Sequence, residues 1–130
     1  RTMPLLVSTV QKAKDAYVVA PSGQIDGNTY SILEKELDTI LAHNPSLIAL
    51  DLAEVDYLSS AGIRIILKTK KALAGGKGKL VFMHLQPQVR KVFEIIEALP
   101  SMRVFKDIQE MDEYLDRIQK KITGEAAEDD

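Results

Sequence analysis

The chain has 130 residues, 45% hydrophobic and 28% charged, with no cysteine and a formal net charge of −2. That length suits one domain with one core, and the missing thiols exclude disulfides, thiol catalysis and cysteine metal sites. Seventeen Lys+Arg against 19 Asp+Glu, with no basic block, argue against a nucleic-acid-binding domain, which needs concentrated positive charge. No apolar run approaches the roughly 20 residues that span a bilayer. The start Arg1-Thr2-Met3-Pro4 lacks a signal-peptide core. No membrane insertion and a cytoplasmic location are therefore expected. Met3 fits a natural start preceded by two added residues, and equally fits excision from a longer protein.

Leu5 to Val10 and Ala16 to Ala20 read as two strands joined by a polar turn at Lys12-Ala13-Lys14-Asp15, hence an antiparallel hairpin. Pro21-Ser22-Gly23 interrupts the second strand near its end. Asp26-Gly27-Asn28 is a turn leading into a helix, where Asp26 caps or holds the turn. From Tyr30, the spacing of Leu33, Leu37, Ile40 and Leu41 predicts one apolar helix face, and Asn44-Pro45 stops it. Leu47 to Leu52 reads as a buried parallel strand.

A second helix follows, with Ile63, Ile66, Leu67 and Leu73 inward and an end at Gly75-Gly76, where left-handed backbone is cheap. Leu80 to Met83 is the next buried strand. Pro87 suits the first turn of a third helix, which turns Val89, Val92, Phe93 and Ile96 inward and ends at Pro100. Val104-Phe105 is a short strand candidate. Asp107 caps a fourth helix, with Glu110 three residues on and a stripe of Ile108, Met111, Leu115, Ile118 and Ile122. The acidic tail has no apolar anchor, so the domain is expected over 4–122 and disorder over 123–130. Strands alternating with helices after a hairpin give an α/β class: a mixed four- to five-stranded sheet and about four helices.

Two serines, Ser59 and Ser60, fall where a strand gives way to the second helix. A helix start offers free N–H groups and the positive end of the dipole, so a phosphate on a serine there would be stabilised. Position alone makes Ser60 a helix cap. Gly62 in the first turn costs on the order of 1 kcal/mol of helix propensity. Either a partner approaches closely there or the helix tip packs tightly on the sheet. Gly75 to Lys79 lacks the spacing of a phosphate-binding loop and follows a helix, so it reads as a helix-ending turn. His43 and His84 stand alone, without metal-ligand spacing. Asp51, Glu54 and Asp56 read as a solvated loop face. No metal or cofactor is expected. Ser60 has no evident histidine partner for a hydrolase.

The run Leu50-Asp51-Leu52, then Val55-Asp56-Tyr57-Leu58-Ser59-Ser60-Ala61-Gly62-Ile63, resembles the signature of the STAS domain of bacterial anti-sigma factor antagonists and of sulfate transporters. Gly23-Gln24-Ile25-Asp26 and Pro87-Gln88-Val89-Arg90-Lys91-Val92-Phe93 extend the resemblance to roughly residues 5–118. It implies a non-enzymatic, bacterial partner-switching protein in transcription regulation, which binds an anti-sigma factor that is also a serine kinase. It further implies that the kinase phosphorylates Ser60, with Ser59 as second candidate, and that a serine phosphatase resets it. Asp26, Ser59, Ala61, Gly62 and Arg64 would then form the partner surface. The chain departs from the family pattern at Ser59 (often aspartate), Arg64 (commonly small) and Gln24 (commonly acidic). A constitutive adaptor or ligand-binding subunit of a transport or sensory assembly is the alternative reading.

Overall fold

The alternating residues from Leu6 to Ile25 form a hairpin, as their period demands. In the computed structural model, which describes residues 4–99 and 104–128, β1 (Leu6–Ala13) pairs antiparallel with β2 (Ala16–Ile25). The turn narrows to Lys14-Asp15. β2 does not stop at Pro21, which stays opposite Val7 in register. The reason lies on the other edge of β2. Residues 16–19 pair there with β3 (Leu47–Asp51), and residues 22–25 pair with β4 (Glu54–Leu58), both parallel. Pro21 falls between these two partners, where its missing N–H donor is not needed on that edge. A register shift at Gly23/Gln24 accompanies a φ of +126° at Gly23, which only glycine adopts readily.

β4 is absent from the sequence reading, which put Glu54 and Asp56 on a loop. Both side chains are exposed, as expected, but they alternate with buried Val55 and partly buried Tyr57 on a five-residue strand. β5 (Lys79–Met83) completes the sheet beside β3, giving the order β1-β2-β3-β5 with β4 against β2. Val104-Phe105 is no strand. It lies in a turn, and Phe105 packs on the Tyr114 ring with centroids 5.4 Å apart.

The helices are α1 (Tyr30–Leu41), α2 (Ser60–Gly75), α3 (Pro87–Ala98) and α4 (Ile108–Glu128). Leu33, Leu37 and Ile40 of α1, Ile63, Ile66 and Leu73 of α2, Val89 and Val92 of α3, and Met111 and Leu115 of α4 meet Val19, Ile25, Ile48, Leu50 and Leu58 of the strands in one core. Each such side chain contributes about 1.5–3 kcal/mol by leaving water. Three residues expected inside face out instead: Leu67 is 40% exposed, Val81 on β5 40% and Ile108 55%. Leu67 follows inward Ile66 and is turned about 100° away by the helical period. Ile65, Ala61 and Thr69 take the inner positions.

The end of α2 also differs from the reading. Gly76 has φ −101°, and Lys77 is the left-handed residue at φ 64°. Gly78 N donates to Leu73 O and closes the turn. Asn44, also left-handed at φ 51°, ends α1 as expected. Helix α4 continues through Glu128, beyond the boundary at 122. Pro100 and residues 129–130 lie outside the described residues. No described helix is long and apolar enough to cross a membrane.

Candidate functional site

The two serines stand where the C-terminal ends of β2 and β4 meet the start of α2. Ser59 is the N-cap residue, in extended backbone at φ −94° and ψ 177°. Its N–H donates to Ile25 O at 2.9 Å, and its carbonyl accepts from Ile63 N at 3.0 Å. Those bonds tie the turn to β2 and start the helix. Neither serine hydroxyl caps the helix. The Ser59 and Ser60 Oγ atoms are both buried, with no hydrogen-bond partner among the described residues. Ser60 is 1% exposed. The expected hydroxyl cap at an accessible helix tip is therefore not what forms.

The cap comes from another element. Ser60 N donates to Asp112 Oδ1 of α4 at 2.9 Å. A carboxylate at a helix N-terminus meets both a free donor and the positive dipole end, so it displaces a neutral hydroxyl in this role. Two further side chains of α4 hold the same edge. Gln119, 1% exposed, accepts from Leu58 N at 2.8 Å and donates to Leu58 O at 2.8 Å. One amide thus reproduces a rung of sheet pairing on the open side of β4. Tyr57 donates its hydroxyl to Asp116 Oδ1 at 3.0 Å. Burial first, then that bond and the charges of Asp116, Asp112 and Asp26, push the Tyr57 phenol well above its ordinary pKa. Three carboxylates therefore share this turn. Lys120 offsets one of them, 3.1 Å from Asp116 Oδ2.

Asp26 holds the neighbouring turn rather than capping α1 with its side chain. Its Oδ1 accepts from Asn28 N at 2.9 Å, and its carbonyl accepts from Tyr30 N at 2.9 Å. Buried Thr29 fixes the loop: its hydroxyl donates to Gln24 O at 2.7 Å and accepts from Asp26 N at 3.0 Å. A notch of about 470 Å³ lies between these groups, lined by Gln24, Asp26, Asn28, Tyr57, Ser59, Asp112, Asp116 and Lys120 among others.

Of the five residues read as a partner surface, Asp26 and Arg64 reach solvent, whereas Ser59, Ala61 and Gly62 are buried. The geometry at Gly62 supports the tight-packing reading. A Cβ there would lie 2.5 Å from Leu58 Cδ1 and 2.8 Å from Ile25 Cγ2. Sequence reasoning missed Asp112, Asp116 and Gln119. The available signal was Gln119, four residues after Leu115 and so in register with the apolar stripe of α4.

Elsewhere, His84 at φ 59° places Nδ1 3.0 Å from Asp51 Oδ1. That bond holds the Asp51 carboxyl below its ordinary pKa. Among the described residues, no cluster of His, Cys, Asp and Glu could hold a metal ion.

The model of the STAS domain family matches residues 8–111. Bordetella bronchiseptica BtrV, provisionally named an anti-sigma factor antagonist, is 36% identical over 87 residues, which cover 67% of this chain and 75% of that protein. An anti-sigma factor antagonist from Mycobacterium paratuberculosis superposes with a TM-score of 0.64 at 23% identity, covering 79% of this chain and 93% of that one. The anti-sigma factor antagonist SpoIIAA in its unphosphorylated form gives 0.65 at 17% identity, covering 71% and 81%. At those identities the two solved structures speak to the fold alone.

Proposed function

The chain belongs to the STAS domain family, and we propose that within it this protein is an anti-sigma factor antagonist, switched by phosphorylation of Ser60. The observation that carries this reading is the 36% identity to BtrV, taken with a serine as the first residue of α2. In its unphosphorylated form the start of α2, through exposed Arg64, and the neighbouring Asp26 dock on an anti-sigma factor that is also a serine kinase. Catalysis belongs to that partner. Ser60 Oγ attacks the γ-phosphorus of the kinase's ATP. The Oγ–P bond forms as the bond to the bridging oxygen breaks, ADP leaves with the electron pair, and a base of the kinase takes the hydroxyl proton. The phosphoserine adds about −1.5 to −2 charges to a turn already holding three carboxylates, and the complex weakens. A serine phosphatase resets it.

One observation favours the alternative of a constitutive adaptor: both serine hydroxyls are buried. Mass spectrometry separates the two readings. After incubation with ATP and the candidate anti-sigma kinases of the source organism, one phosphate on Ser60, absent in Ser60→Ala, is expected. No phosphate with any kinase that binds the protein would establish the adaptor instead.

A further inference from the structure

The buried state of Ser60 conflicts with its role as an acceptor. A kinase must bring a γ-phosphate in line with Oγ, and a residue 1% exposed admits nothing of that size. The polar face of α4 is bonded along the turn. Asp112 occupies the α2 N-terminus, the Gln119 amide clamps both backbone groups of Leu58, and Asp116 holds the Tyr57 hydroxyl. We propose that α4 is a detachable strap: docked, it withholds Ser60, and its release is the step that presents Ser60 to the partner. This regulation rests on the phosphoacceptor reading above.

The docked state carries the means of its own release. Two hydroxyls of the turn it bonds are buried with no hydrogen-bond partner among the described residues, and both would gain water if release of α4 opens the turn. Asp112 and Asp116 are brought beside Asp26 around one notch, where like charges repel. The raised pKa of Tyr57 reports the same negative field. Against these stand the apolar anchors Met111 and Leu115 and the bonds just named. A phosphate on Ser60 and the Asp112 carboxylate would compete for the same N–H groups at the start of α2. Phosphorylation would therefore hold the strap open. One chain then has two surfaces at this turn, closed by α4 or opened and charged, and the partner distinguishes them.

The chain has no cysteine, so Ser60→Cys in the full-length protein reports strap opening without any kinase. Its thiol is expected to react with a small aromatic disulfide roughly 100-fold more slowly than in urea-unfolded chain, because only the open fraction reacts. Adding Asp112→Ala, or separately Gln119→Leu, should accelerate labelling by about tenfold or more. Ile40→Val, at the C-terminal end of α1 and away from the turn, lowers global stability and should leave labelling unchanged. In the serine background, Asp112→Ala should also be phosphorylated faster by the cognate kinase.

A parent thiol that labels within about threefold of the unfolded rate would overturn the strap. So would α4 substitutions that change nothing, or an Ile40→Val protein that labels as fast as the α4 variants, since global unfolding would then explain the access. Labelling that responds to α4 while no kinase phosphorylates any variant would overturn the phosphoacceptor reading, and with it the strap's role in phosphorylation.

Discussion

Replacing Ser60 with alanine should make the protein more stable, which is unusual for a buried position. The Ser60 hydroxyl has been taken out of water and given no partner among the described residues. An unsatisfied buried hydroxyl costs on the order of 1–3 kcal/mol. Alanine removes that cost and gains up to about 0.5 kcal/mol of helix propensity. It leaves a void of one oxygen atom, against which a few tenths of a kcal/mol are set. The net expectation is about 1–2 kcal/mol of stabilisation, or about 3–8 °C in the thermal midpoint of a domain this size. Urea unfolding followed by circular dichroism measures it, provided the m-value is unchanged. Thr69→Ala is the control. Thr69 is also buried, but its hydroxyl donates to Ile65 O at 2.8 Å, so its loss should destabilise by about 1–2 kcal/mol. A Ser60→Ala protein less stable than the parent would refute the reasoning, because the hydroxyl would then have a favourable partner. The expected result would mean that the position carries a serine at a cost to the fold, as a site kept for chemistry does.

Gly62→Ala should destabilise by about 1–2 kcal/mol despite its better helix propensity, because the new methyl meets the cores of Ile25 and Leu58. A raised thermal midpoint would refute the tight packing. The Asp51–His84 bond predicts a pH dependence. Asp51 is held low in the folded state, chiefly by that bond, so its contribution is present above the unfolded carboxylate pKa and is lost as pH falls through the lower folded one. His84→Ala should return Asp51 toward the usual carboxylate range in an NMR titration and flatten the stability curve below about pH 4. An unmoved Asp51 would show that His84 is not the cause.

Three features of the chain were legible without coordinates. Leu33, Leu37 and Ile40 are spaced for one helix face, and they are buried. Leu47 to Leu50 reads as a strand because an unbroken apolar run that short has few other uses, and it pairs parallel on both sides. Ser59 and Ser60 fall at the start of the second helix because the helical pattern of Ile63, Ile66 and Leu73 begins just after them. These are local patterns of period two or 3.6, and local backbone geometry answers to them directly.

Tertiary structure decided the rest. β4 was hidden because five residues with two buried apolar side chains are too short to show a period, and its pairing with β2 depends on residues some thirty positions away. The state of Ser60 was hidden for the same reason at greater range. Its position at the helix start is a local fact, but its N–H is bonded by Asp112, 52 residues later, and the neighbouring Leu58 by Gln119, 61 residues on. Sequence alone placed a serine at the tip of α2. Only the tertiary structure determined that its hydroxyl is buried and that Asp112 of α4 accepts from its N–H, because contacts between distant segments follow from how the core closes and not from any local period.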